Sequence, residues 1–259
     1  MKNITVIIPV HKLGGAYNEM LSNALTSIED FHNDVKVSIV CPTKLKKELV
    51  DLSEKLEIEI VANSGDTDFC SQVNLGVEKC GTEWFTILEM DDQFKPIWLK
   101  SVNEYMTEYT DVEVFLPIVK DIDTDGKFVS FTNESTWAYG FTETQGFLDN
   151  EVLLDFQNYQ ISGGLYKTKT ILDNGGLKGN IKLTFGYEFL LRLTHNGVKI
   201  MTVPKVGYQH VNFRTDSLFW NYKNNDESVL KEKEVKFWLE TAKKEFFFKN
   251  KRDVTYNEA

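Results

Sequence analysis

The chain has 259 residues, of which 42% are hydrophobic and 26% charged, with a formal net charge of −10 and a pI near 5.0. That length suits one large α/β domain or two small ones, and the composition is that of a globular protein with a real core. The acidic balance argues against a chain held to nucleic acid mainly through phosphates, which needs a basic face, and leaves room only for a local groove. The opening Met1-Lys2-Asn3 and Ile4 to Pro9 is broken by proline too early for a signal peptide. No apolar run approaches the roughly 20 residues of a membrane helix. Cys41, Cys70 and Cys80 are odd in number and lack metal-type spacing. They read as reduced thiols of a cytoplasmic protein.

In chain order, Ile4 to Val10 is a continuous β-rich run, the pattern of a central parallel strand covered on both faces. A helix follows with Met20, Ala24 and Ile28 at spacing four. Val35 to Cys41 is a second strand, stopped at Pro42, and Thr43 caps a helix whose stripe is Leu45, Leu49, Leu52 and Leu56. Ile58 to Ala62 is a third strand. Phe69, Val73 and Val77 mark a helix ending near Gly81, and Glu83 to Leu88 is a fourth, buried strand. Pro96 opens the next helix, with Trp98, Val102, Tyr105, Met106 and Tyr109 on one face. Alternating strands and helices predict a mostly parallel sheet with helices on both faces, whose ligands bind beyond the carboxyl ends of strands.

After Val112 the pattern changes. Val112 to Val119 is a strand, and Asp125-Gly126 turns the chain into Phe128 to Phe131. Residues 131–160 are aromatic and irregular, with Trp137 and Tyr139 the expected sugar or base contacts and Phe147 and Phe156 the expected core. Gly186 to Asn196 is helical, stopped by Gly197, and Val198 to Val203 is a late strand. Residues 226–250 form a charged helix with Val235, Trp238, Leu239 and Ala242 on its docked face. Asp121 to Phe128 imitates a calcium loop, but its twelfth position is Thr132 where a bidentate Glu is needed, so it reads as a hairpin turn.

Ile87-Leu88-Glu89-Met90-Asp91-Asp92 carries three carboxylates where a strand ends. Such crowding raises their pKa values unless a cation or donor neutralises them. Taken alone, the triplet reads as a solvated turn before the helix at Pro96. Its context changes that reading. Gln72 to Asp92, with Asn74-Leu75-Gly76, a Gly-containing turn, a buried strand and the acidic run, resembles the heart of family 2 glycosyltransferases of the GT-A fold. Val6 to His11 resembles that family's first strand. Ser162-Gly163-Gly164-Leu165-Tyr166 and Phe189 to Leu193 resemble its acceptor-side motifs.

The resemblance implies a GT-A fold over residues 1–222, with a nucleotide-sugar half at 1–118, an acceptor half at 119–222 and a helical extension at 223–259. It implies an inverting transfer of a sugar from a nucleotide-diphosphate donor to an acceptor hydroxyl, assisted by Mn²⁺ or Mg²⁺. The acceptor would be a glycan, a modified DNA base or a protein, and the Lys- and Asn-rich make-up also resembles chains of large tailed bacteriophages. Glu89 and Asp91 stand in the metal-binding run, with Asp91 the best single ligand. Asp92 is expected to bind the sugar or orient a water. Pro9, His11 and Asn74 fall on donor-side motifs, and Arg214, on a loop with Asp216, is expected at phosphate.

Three departures from the family pattern matter. The second strand ends Val40-Cys41-Pro42-Thr43, without the carboxylates that touch base and ribose, and Asp66 and Asp68 are the nearest substitutes. Their other reading is plain turn chemistry. The acceptor helix should open with Glu-Asp, and those places hold Phe185-Gly186. Glu188 is the only carboxylate nearby, either the general base or an ordinary first-turn Glu. His210 stands near where the fold supplies a metal-binding His, or is a satisfied histidine at a strand end. The missing Glu-Asp pair leaves an inactive binding or assembly factor, as in virion baseplate assembly, as the alternative function. A nucleotide-sugar hydrolase or pyrophosphorylase is a third.

Overall fold

A computed structural model describes residues 3–31, 33–50, 57–215, 217 and 228–249. Four strands are parallel neighbours: Ile4–Pro9 (β1) lies between Val35–Pro42 (β2) and Trp84–Ile87 (β4), and Ile58–Asn63 (β3) flanks β2. β1 and β4 are almost wholly buried, as strands covered on both faces are, whereas the edge strand β3 is half-buried and carries Glu59 and Asn63. Side-chain alternation divides β1 between two cores. Val6 and Ile8 join Leu21, Ala24 and Leu25 of helix α1 (Ala16–Thr26), whereas Ile7 joins Val73 and Val77 of the opposite layer. The expected helix after Thr43 opens as a 3₁₀ turn, Thr43–Leu45, and continues as α2 over 46–50. Leu52 and Leu56 lie outside the described residues.

The Asn-x-Gly motif sits on the next helix, α3 (Phe69–Lys79), and its reason is packing. A Cβ on Gly76 would stand 2.6 Å from the Ile7 side chain, so only glycine lets α3 lie this close to β1. Asn74, two residues earlier, donates to the Leu177 carbonyl at 2.8 Å and accepts from the Leu177 amide at 2.7 Å. It behaves as a peptide group tying α3 to a loop 103 residues away.

The second half adds Gln93–Phe94 (β5), Val114–Ile122 (β6), Phe128–Thr132 (β7), Leu165–Lys167 (β8) and Ile200–Val211 (β9), completing a nine-stranded mixed sheet in the order β3-β2-β1-β4-β8-β6-β9-β5, with β7 paired to β6. β6 runs parallel to β9, and β8 wedges antiparallel between β4 and β6. β7 returns along β6 as a hairpin. Its turn is closed by Asp123, whose Oδ1 accepts from the amides of Asp125 and Lys127. The calcium-loop likeness is therefore turn chemistry. β6 crosses residues 118 and 119, so the expected halves share a strand.

Helix α4 (Trp98–Glu108) follows Pro96 as expected. Short helices α5 (Asn150–Asp155) and α6 (Thr168–Asp173) precede α7 (Phe185–His195). The C-terminal helix α8 (Ser228–Glu245) docks through buried Ala242, and Phe246 just beyond it is buried too. Phe246 meets the α7 residue His195 edge-on with ring centroids 5.2 Å apart. The expected boundary at 222 falls outside the described residues. No described helix is long and apolar enough to cross a membrane.

Candidate active site

The acidic run leaves β4 at the sheet's carboxyl end and is stitched down on both sides. The Leu88 amide donates to the Ile7 carbonyl at 3.0 Å, continuing the β1 pairing. A tight turn then brings the Asp92 amide to the Glu89 carbonyl at 3.1 Å. Gln93–Phe94 (β5) pairs antiparallel with Gln209 and Tyr208 of β9. β9 thus passes beside the run. Tyr208 and His210 alternate on one face of it, and both meet the acidic run.

Each carboxylate has a partner from distant sequence. The Ser162 hydroxyl donates to Glu89 Oε1 at 2.6 Å, and the Glu89 amide donates to the Tyr208 hydroxyl at 3.0 Å. Asp92 is fully buried; His210 Nδ1 lies 3.0 Å from its Oδ2, and the Val211 amide donates to its Oδ1 at 3.0 Å. Asp91 is ion-paired with Arg214. Burial first, then the charges of Asp92 and Asp91, push Glu89 up to about 7. Burial and Asp92 push Asp91 up to about 6, against the pull of Arg214. Burial works against the His210 imidazolium, but the charge and hydrogen bond of Asp92, with Glu89 and Asp121 behind, raise it to about 10. The chain's own His210 and Arg214 therefore neutralise the acidic run.

Glu89, Asp92 and His210 offer ligand atoms that all lie within 4.8 Å of one another. The two carboxylates suit a hard divalent cation and the imidazole favours a transition metal, so of the two implied ions this donor set fits Mn²⁺ better than Mg²⁺. The geometry exchanges two expectations. Asp92 has no exposed surface and faces His210 and the Val211 amide, so it belongs to the cluster of ligand atoms and not to the open sugar side where it was expected. Asp91 faces Arg214 and, while that pair holds, stands outside the trio.

Glu188 requires a larger correction. It has no exposed surface, and its carboxylate accepts from Arg192 Nε at 2.8 Å and Nη2 at 3.0 Å, with Lys178 Nζ at 2.9 Å. Arg192 in turn donates to the carbonyls of Asn174 and Gly176. A carboxylate so enclosed has no path to an acceptor hydroxyl. It is the anion of a buried ion network that fixes α7 and, through Lys178 and the Glu245 carbonyl 2.6 Å away, the end of α8. Asn74 is likewise structural. The residue is buried and both ends of its amide are committed to Leu177, at the floor of the open cleft that Asp66 also lines.

The remaining expected residues differ in exposure: Pro9 is buried, whereas His11 and Asp66 are exposed. Pro9 ends β1, and exposed His11 follows, with its ring 6.1 Å edge-on from Tyr17 and Lys12 Nζ 4.6 Å above that same ring. Asp66 is exposed on the rim of an open cleft of about 830 Å³ lined also by Asn63, Ser71 and Lys182. Asp68 caps α3, accepting from the Ser71 amide at 3.1 Å. Trp137 is turned inward, its indole N–H donating to the Thr202 carbonyl at 2.9 Å, while Tyr139 is fully exposed. Asp216 lies outside the described residues.

Tyr208 carries no signal in the sequence because the apolar pattern after Gly197 stops at Val203, whereas β9 runs on to Val211 through two register shifts against β6. Continuing the strand would have put Tyr208 and His210 on one face. Gly163 matters for the same reason. At φ +78° its missing Cβ leaves room for the Tyr208 ring, 2.5 Å from where that atom would stand.

No curated protein sequence matches the chain. Among solved structures, S. aureus TarS 1-349 superposes with a TM-score of 0.60 at 15% identity, covering 92% of this chain and 70% of that one. The TarS 1-349 complex with UDP gives 0.61 at 16% over 92% and 70%. The complex with UDP-GlcNAc gives 0.59 at 15% over 92% and 71%. At this identity the likeness establishes the fold, a GT-A-type α/β sheet. The model for "Glycosyl transferase family 2" matches residues 5–161, well over half of the chain, and the chain belongs to that family.

Proposed function

We propose that the chain transfers a sugar from a nucleotide-diphosphate sugar to an acceptor hydroxyl with inversion. The observation that carries this reading is the cluster of Glu89, Asp91, Asp92, His210 and Arg214 at the carboxyl end of β4, in a chain of this family. TarS structures hold UDP and UDP-GlcNAc, which supports a nucleotide-sugar donor here. Glu89, Asp92 and His210 would hold a divalent cation, which when bound supplies positive charge against the diphosphate. His11 and Asp66 border the donor side. In the transfer, the bond from the anomeric carbon to the diphosphate breaks with its electron pair leaving on phosphate. The acceptor oxygen makes the new bond on the opposite face and gives up its proton to solvent water.

The fate of the acceptor's proton separates this reading from a second. With Phe185-Gly186 where a Glu-Asp pair is usual and Glu188 locked into ion pairs, the acceptor helix offers no base. That observation favours a chain that binds a nucleotide sugar or a partner without turnover. The two are told apart by incubating the full chain with nucleotide sugars and Mn²⁺, with candidate acceptors, and measuring nucleoside diphosphate release. Acceptor-dependent release that is lost in Asp92→Asn supports the transferase. Donor binding with no release under any acceptor supports the binding protein.

A further inference from the structure

The Asp91 carboxylate is already occupied by a cation that belongs to the chain. Arg214 lies 123 residues downstream, and its guanidinium donates to Asp91 Oδ2, with the two side chains 9% and 18% exposed. Arg214 stands just past the last residue of β9. The chain there leaves the sheet through Asn212, whose amide makes the last bond to β6, at the Ile122 carbonyl 2.7 Å away. His210, by contrast, sits within β9 and is held by Asp92.

We propose that Arg214 is an exchangeable counter-cation of the acidic run. On Asp91 it opposes entry of a divalent cation, and a diphosphate draws it away and so admits one. The inference rests on the nucleotide-diphosphate reading above. Its physical basis is charge and shape. A guanidinium does not lose its proton in proteins, so it cannot yield to a metal by neutralisation and must move. Its planar fork matches a phosphate as well as a carboxylate, so a diphosphate offers it an equivalent partner. A position just beyond the sheet allows that movement without breaking the β6–β9 pairing. Metal and diphosphate then bind cooperatively, beyond the direct attraction between them, and the coupling must be reciprocal.

The test is calorimetry on the full chain, with Mn²⁺ titrated alone and again in saturating UDP, for the parent, Arg214→Met and Arg214→Lys. Thermal melting verifies that each is folded, and Arg214→Gln replaces the Met variant if that one is not. Without UDP, Arg214→Met should bind Mn²⁺ about 10-fold tighter than the parent, and the gain on adding UDP should shrink by a similar factor, within the range usual for coupled sites. Arg214→Lys, which keeps the charge without the fork, should fall between. Equal Mn²⁺ affinity in parent and Arg214→Met, with UDP still bound by the parent, overturns the exchange and leaves the donor reading standing. A parent that binds neither Mn²⁺ nor UDP overturns both.

Discussion

Glu188 and Arg192 face each other one turn apart on α7, joined by hydrogen bonds of 2.8 and 3.0 Å, and neither side chain has any exposed surface. The pair is the centre of a network that also holds Lys178 and the carbonyls of Asn174 and Gly176. In this account its work is structural.

Glu188→Gln should therefore unfold the chain more readily instead of removing a base. Taking one partner from a buried ion pair leaves the other uncompensated, at a cost of about 3–5 kcal/mol. Here two cations, Arg192 and Lys178, lose their anion. Urea denaturation should show that loss, and any activity that survives at low temperature should keep the parent's pH profile. A fully stable but inactive variant would restore the base assignment.

Much of the first half is legible in the sequence, whereas Glu188 reads there as a base or a first-turn residue and its pairing with Arg192 emerges only from the fold. Continuous apolar runs at Ile4 to Val10 and Val35 to Cys41 mark covered parallel strands, and the acidic run follows β4 as expected. The pairing of Arg214 with Asp91 and the clasp of Asn74 on Leu177 span more than a hundred residues and leave no local trace. β9 was cut short because Pro204, Lys205 and Gly207 interrupt its apolar pattern. Gly207 is there for packing: a Cβ would stand 2.4 Å from the Trp98 ring.

Gly163→Ala should damage both fold and site. The new methyl meets the Tyr208 ring at 2.5 Å, and φ of +78° is unfavourable for alanine. Overpacking of this kind costs about 1–3 kcal/mol, and the backbone conformation adds about 1 kcal/mol or more. Because the Tyr208 hydroxyl holds the Glu89 amide, Mn²⁺ affinity should fall with stability. Denaturant midpoints and calorimetry read the two effects; an unchanged midpoint would contradict the packing.

The pH dependence of stability has a definite sign. His210 is raised from 6.5 to about 10, so its contribution is complete below 6.5 and is lost as pH climbs through about 10. Glu89, raised from 4.5 to about 7, likewise holds its proton more tightly when folded, so stability falls as pH rises across that interval. The metal-free chain should lose stability from mildly acidic to mildly alkaline pH, and His210→Gln should flatten the slope above neutrality. Urea midpoints across that range decide; a rising midpoint above neutral pH would contradict the His210–Asp92 pair.

Metal binding should run the other way. A cation at Glu89, Asp92 and His210 must displace the protons that Glu89 and His210 hold near neutral pH, so Mn²⁺ affinity should rise with pH and binding should release protons. Calorimetry in buffers of different ionisation enthalpy measures the release directly. Affinity that is flat with pH would place the cation elsewhere.

The central claim is that the acidic cluster binds a nucleoside diphosphate together with a divalent cation. Thermal melting with a panel of nucleoside diphosphates, with and without Mn²⁺, tests it most directly, because a ligand that binds only the native state raises its melting temperature. At least one nucleotide with Mn²⁺ should stabilise the chain more than either alone, and Asp92→Asn should lose that gain. No shift with any nucleotide, or an identical shift in Asp92→Asn, would contradict the account.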